Sequence, residues 1–166
     1  MKKGIVIAGY AGIGKTTLGK KYNNVIDLES SPFKYEYSKD DTSPMENRKG
    51  RKDRTLRKDW PQNYWEAIED AILKYDFVLV QGHHRHFDFL DKNEIEFWVV
   101  YPNKEALELY RKRYTERGNN QDYIDKVING FDKMRIEFEK NKSKKIILKG
   151  KETLEDYLLD NGYELC

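Results

Sequence analysis

Five short apolar runs, Gly4–Ala8, Val25–Leu28, Phe77–Val80, Phe97–Tyr101 and Ile146–Leu148, recur between longer stretches of mixed polarity. Their β-branched and aromatic content, without clean polar alternation, predicts strands buried on both faces. Between them, apolar residues return every three or four positions. Trp65, Ile68 and Ile72 mark one helix, and Leu107, Tyr110 and Tyr114 mark another. The longest stripe, Ile124, Val127, Ile128, Phe131, Met134 and Phe138, reads as one continuous helical face. A last short helix is expected near Thr153, where Asp156 stands three residues on as a capping-box partner. Strands alternating with helices predict an α/β protein with an open, parallel, five-stranded sheet and helices on both faces.

One segment breaks this rhythm. Residues 29–59 show little apolar periodicity, two prolines (Pro32 and Pro44) and a basic run, Arg48–Lys58, with seven Lys/Arg and one Asp. A loop this long inside a compact domain is usually functional or mobile. It reads as a basic insertion in a single domain spanning residues 1–166.

Composition bears on whether such a chain packs at all. Charged residues make up 36% and hydrophobic residues 38%, close to a disordered composition. However, 31 Lys+Arg nearly cancel 29 Asp+Glu, and 13% aromatics supply bulky core material, so one packed domain is expected. The cancellation excludes a globally basic nucleic-acid binder. Anion binding must come from local clusters. A lone cysteine, Cys166, excludes an internal disulfide framework and a Cys-based metal site. No run reaches the ~18 apolar residues of a membrane span, so a cytoplasmic protein without membrane partners is expected. Met1-Lys2-Lys3 and the apolar stretch after it mimic a short signal peptide, but that stretch opens a better-specified motif.

Gly9-Tyr10-Ala11-Gly12-Ile13-Gly14-Lys15-Thr16 matches G-x-x-x-x-G-K-[ST] at every fixed position. A tight loop of small residues lets successive backbone N–H groups point at phosphate oxygens, and the helix that follows turns its positive end toward them. A strand precedes this motif and a helical stretch follows it, as the chemistry requires. Gly9, Gly12, Ile13, Gly14, Lys15, Thr16 and Thr17 are the expected nucleotide-binding positions. Lys15 should reach the β/γ-phosphates, and the Thr16 hydroxyl should ligand Mg²⁺.

Such a site usually needs a carboxylate at a strand end. Phe77–Val80 runs instead into Gln81-Gly82, with no acid. The carboxylates follow the second strand, at Asp27 and Glu29, and alternate strand positions share a side. With these residues the chain resembles the P-loop kinase group that includes shikimate, gluconate and nucleoside-monophosphate kinases. Its layout is also similar to small phage-type nucleotide kinases or NTPases. The resemblance implies a three-layer P-loop NTPase fold and an ATP- and Mg²⁺-dependent phosphotransferase for a nucleoside, nucleotide or similar small acceptor. It makes Asp27 the Mg²⁺-associated carboxylate with Thr16, and Glu29 an acceptor contact or base. Glu29 stands where several of these kinases carry a second Asp. Residues 29–59 become a substrate-binding flap, and residues 111–121 a LID whose Arg113 and Arg117, one helical turn apart, converge on the triphosphate.

All three histidines lie in Gln81-Gly82-His83-His84-Arg85-His86. Such close spacing without a distal ligand makes a poor tetrahedral metal site, but this turn should sit at a strand end, where ligands of open sheets bind. The resemblance makes Gly82, His84 and Arg85 acceptor-site residues; a plain surface turn is the other reading. The basic run Arg48–Lys58 suits a phosphorylated acceptor and, less favoured, a nucleic-acid backbone. The alternative function is a P-loop NTPase whose ATP hydrolysis serves nucleic acid or regulation. Its signs are missing: Gln81 replaces an acid, and Asn141-Lys142-Ser143-Lys144 lacks the Asp of a guanine-reading motif. A nucleotide-binding interaction protein without turnover is the third class.

Overall fold

Val6, Ile7 and Ala8, on strand β1 (Ile5–Gly9), are all fully buried. Successive strand residues point to opposite faces, so both faces of this strand are covered. The computed structural model describes residues 3–166, and the Met1-Lys2 start of the signal-like stretch lies outside them. After β1 come α1 (Lys15–Lys21), β2 (Val25–Asp27), α2 (Ser30–Lys34), β3 (Tyr35–Tyr37), α3 (Met45–Arg48), β4 (Arg54–Leu56) and α4 (Gln62–Ala71). β5 (Phe77–Gln81), α5 (His84–Lys92), β6 (Phe97–Pro102), a 3₁₀ turn at Lys104–Ala106, and α6 (Leu107–Glu116) follow. The chain ends with α7 (Gln121–Asn129), α8 (Phe131–Lys140), β7 (Lys144–Leu148) and α9 (Leu154–Asp160).

The main sheet has five strands in the order β2-β5-β1-β6-β7, and every pairing is parallel. Helices on both faces make a three-layer α/β architecture, as the strand–helix alternation predicts. β1 is central, with Gly9 in register with Gln81 of β5 on one side and Val100 of β6 on the other. The chain leaves β1 toward β2 on one side and reaches β6 on the other. That divergence opens a crevice at the carboxyl ends of the strands, where open α/β sheets bind their ligands.

Three local readings change. The apolar stripe from Ile124 to Phe138 is two helices, because the backbone breaks at Gly130 between α7 and α8. The spacing of three and four survives the break, so periodicity alone joins the two. Residues 29–59 are not a structureless loop: α2, α3 and an antiparallel β3–β4 hairpin occupy them. Their partners are cross-strand and side-chain contacts rather than an apolar stripe, hence the missing periodicity. The histidine turn is the start of a helix, α5, whose first residue is His84. The Thr153–Asp156 capping box forms as expected at the start of α9.

Candidate functional site

The loop between β1 and α1 has every carbonyl from Gly9 to Gly14 held by a donor. The Gly9 oxygen accepts from Gly82 N (3.0 Å) and Lys15 Nζ (3.1 Å), and the Tyr10 oxygen from Lys15 Nζ (2.9 Å). The Ala11 oxygen accepts from the Tyr114 phenol at 2.6 Å, and the Gly12 oxygen from the Arg113 guanidinium at 3.2 Å. Leu154 N donates to Ile13 O at 2.9 Å, and Leu18 N to Gly14 O at 3.1 Å. In a trans peptide the N–H of the next residue points opposite to the carbonyl. Fixing the carbonyls of Ala11, Gly12 and Ile13 therefore aims the amides of Gly12, Ile13 and Gly14 to the other side of the loop. The amides of residues 11–14 have no acceptor in hydrogen-bond geometry among the described residues. Such a row of free amides is an anion nest.

Glycine is required at two of these positions. Gly12 and Gly14 have φ of 87° and 102°, a region that side chains with a Cβ disfavour. A Cβ on Gly12 would also stand 2.8 Å from the Tyr114 ring. Ile13 is fully buried, so only its backbone can face a ligand. Gly14 caps α1, whose first residues Lys15, Thr16 and Thr17 line the same cleft. Burial pushes the Lys15 ammonium below its usual pKa, against the opposing charges of Asp27 and Glu29.

Thr16 Oγ1 donates to Asp27 Oδ2 at 2.8 Å, joining the start of α1 to the end of β2. Gly19 permits this: a Cβ there would lie 2.8 Å from the Asp27 amide nitrogen. Asp27 Oδ1 is buried with no hydrogen-bond partner. Burial raises the Asp27 carboxyl pKa, and the nearby Lys15 charge and the Thr16 hydroxyl oppose that rise. A hydroxyl and a carboxylate with an orphaned oxygen form a hard-oxygen donor pair. That pair fits Mg²⁺, which takes one or two protein oxygens plus phosphates and waters. No group of three or more His, Cys, Asp or Glu that could hold a metal occurs among the described residues, the histidine turn included.

Glu29 faces the same cleft but is not a free base. It caps α2, accepting from Ser31 N at 3.3 Å, and pairs with Lys49 at 2.9 Å. Burial pushes its pKa up most strongly of any one influence, but the Lys49 charge and hydrogen bond, the Lys15 charge and the Ser31 amide together hold the carboxyl below its usual range. Lys49 comes from the basic run and had no assigned partner in the sequence.

Several expected site residues stand elsewhere. Arg113 turns away from the cleft: besides Gly12 O it donates to Lys151 O at 3.0 Å and packs over Tyr110. Arg117 lines the cleft, so the two arginines do not share one anion. Arg113 reaches back to the loop and to Lys151 O, while Arg117 stays on the cleft wall. Gly82 lines the cleft, yet its lack of a side chain is first a packing need, since a Cβ would stand 2.3 Å from the Phe138 ring. His84 lines the cleft near Glu137, whereas Arg85 is exposed outside it. His83 caps α5 through Nδ1, and burial lowers its pKa to about 4. His86 is buried, accepts from Trp65 Nε1 at 3.3 Å and is pushed down to about 3 by burial. It supports the core beneath the site.

Four of the seven cations of the basic run are ion-paired, Lys49 with Glu29 and three arginines with nearby aspartates. Arg48 and Arg51 pair with Asp41, Arg51 with Asp53, and Arg57 with Asp59. Asn119 Nδ2 donates to Glu46 O, and Asn120 Nδ2 to Asn47 O and Lys49 O, so the flap is tied to the α6–α7 turn. Asn120 also caps α7 through Tyr123 N. Between loop, flap and α7–α8 lies a cleft of about 610 Å³. Lys34, Tyr123 and Lys133 in its walls were not singled out in the sequence, Lys49 entered only as part of the basic run, and Tyr114, read there as a helix-stripe residue, also lines it. Tyr114 carried a signal that it shares with Tyr110, a polar tip on a helical stripe.

No family model matches the chain, and no curated protein matches it. The parallel five-stranded α/β sheet and the geometry of this cleft are the grounds on which function is read.

Proposed function

We propose that the chain is an ATP- and Mg²⁺-dependent phosphotransferase of the P-loop kinase type, acting on a nucleoside, nucleotide or similar small acceptor. The observation that carries this reading is the loop Gly9–Gly14, with the carbonyls of Ala11, Gly12 and Ile13 held from behind and its amides left free beside Lys15 and the Thr16–Asp27 pair. Free amides and one ammonium suit a polyphosphate better than any other common ligand.

Phosphoryl transfer asks a protein mainly for positioning and charge neutralisation. The amides of residues 12–14 hold donor phosphate oxygens without reorganising, because their peptide planes are already fixed from behind. Lys15 exchanges its loop carbonyl contacts for phosphate oxygens. Thr16 and Asp27 would hold Mg²⁺, which when bound would supply neutralising charge to the phosphates. Arg117 supplies positive charge from the cleft wall, and Lys49 holds Glu29 ionised near the acceptor. Arg113 acts on the loop and not on the substrate.

The test is ADP production from ATP and Mg²⁺, with and without a panel of nucleosides, nucleotides and sugar acids. Stimulation by an acceptor is expected, and Lys15→Ala should abolish it while circular dichroism stays unchanged. Acceptor-independent turnover would make the protein an NTPase. A fully active Lys15→Ala variant would sink the loop assignment.

A further inference from the structure

Lys34 and Arg54 approach one aromatic ring from two different elements. Lys34 ends α2 and Arg54 opens β4. Lys34 Nζ lies 5.2 Å, and the Arg54 guanidinium carbon 3.8 Å, from the centroid of Tyr35. The shared ring keeps the two cations within about 9 Å of each other, and its electron-rich face partly offsets their repulsion. Neither has a carboxylate within ion-pair distance among the described residues, although Arg48, Arg51 and Arg57 of the same region all do. Lys34, Tyr35 and Arg54 all line the cleft.

The charge on the rest of that wall makes the pair more telling. Glu29 is neutralised by Lys49, and Asp27 belongs with Thr16 at the other end. Lys126 and Lys133 add positive charge without an ion-pair partner among the described residues, and with Lys34 and Arg54 they outnumber the two remaining carboxylates on the cleft, Glu46 and Glu137. The donor end already has its own cation in Lys15. A second anion therefore fits the flap end.

We propose that the acceptor is itself a phosphomonoester, with its phosphate seated between Lys34 and Arg54. A phosphomonoester carries a charge of about −1.5 to −2 at neutral pH, which matches two cations better than the single charge of a carboxylate does. The cleft volume admits a small molecule and not a folded polyanion. The placement also suits two substrates in one cleft. Ser30, at the start of α2, donates to Gln81 Oε1 at 2.8 Å, and Gln81 is in register with Gly9 at the loop mouth. Lys34 lies about 6 Å further along the axis of α2. The proposed acceptor phosphate thus lies away from the Ser30–Gln81 contact at the loop mouth.

This inference rests on the phosphotransferase reading. The test is calorimetric titration of the full chain, loaded with ADP and Mg²⁺. The ligands are nucleoside 5′-monophosphates, sugar monophosphates, each unphosphorylated parent, and hydroxy acids bearing a carboxylate. At least one phosphomonoester should bind about tenfold or more tighter than its parent, the effect of one or two charge-assisted contacts. Arg54→Gln and Lys34→Gln should each weaken it by about tenfold, Arg54→Lys should recover part of the loss, and ADP affinity should stay within about twofold. Several results would overturn the proposal: no phosphomonoester bound, parents or hydroxy acids bound as tightly, or the variants leaving affinity unchanged. If ADP itself does not bind, the phosphotransferase reading is what has failed.

Discussion

The phenol of Tyr114 donates a 2.6 Å hydrogen bond to the carbonyl of Ala11, reaching from the last turn of α6 to the glycine-rich loop. Its neighbour Arg113 holds the next carbonyl, Gly12 O, at 3.2 Å. Two successive residues of one helix thereby set two successive peptide planes of the loop.

Tyr114→Phe keeps the ring that packs against Gly12 and removes only the hydroxyl. One buried hydrogen bond contributes about 1 kcal/mol, so donor affinity should fall about fivefold, with KM for ATP rising and kcat at saturation holding. Nucleotide titration and steady-state kinetics check this. A fall in kcat alone would place Tyr114 in the chemistry and not behind the loop.

Thr16 and Asp27 share a hydrogen bond, and Asp27 retains an orphaned oxygen. Asp27→Asn should lower activity at limiting Mg²⁺ and recover part of it as the metal concentration rises. A Mg²⁺ titration at fixed ATP measures this. A loss that is the same at every Mg²⁺ concentration would assign Asp27 a structural role.

Gly19 lets α1 lie against the backbone of β2. Gly19→Ala places a methyl 2.8 Å from the Asp27 amide nitrogen, so the helix must shift. The expected cost is about 1–3 kcal/mol in urea unfolding, with a weaker apparent Mg²⁺ affinity because Thr16 moves from Asp27. An unchanged unfolding midpoint would show that the helix has slack.

His86 is held neutral in the core, with its pKa near 3. The unfolded chain takes up a proton near pH 6.5 that the folded chain refuses until about pH 3, so this group's contribution is lost as the pH falls through that window. The slope approaches about 1.4 kcal/mol per pH unit. Wild type should therefore lose more stability between pH 7 and pH 5 than His86→Gln, read from paired denaturant curves. Parallel losses would show that His86 is not a buried neutral base.

Much of the fold was readable because its determinants are local. The buried strands announce themselves as β-branched runs, and the Thr153 capping box spans three residues. Gly12 and Gly14 sit where the backbone angles demand them. The flap was not readable in this way. Tyr35 pairs with Leu56 and Tyr37 with Arg54 across a hairpin, and such a short two-stranded unit leaves no periodic imprint. The break at Gly130 escaped because the apolar spacing continues across it.

The candidate site divides along the same line. The sequence alone determined the glycine-rich loop, its lysine and threonine, and the carboxylates after the second strand. Those residue types at those spacings answer to backbone geometry within a few bonds. Only the tertiary structure decided which cations face the cleft. It sent Arg113 behind the loop, tied Lys49 to Glu29, spent Arg48, Arg51 and Arg57 on nearby aspartates, and left Lys34 and Arg54 free on Tyr35. A long charged side chain takes its role from whatever carboxylate, carbonyl or ring the fold brings within reach.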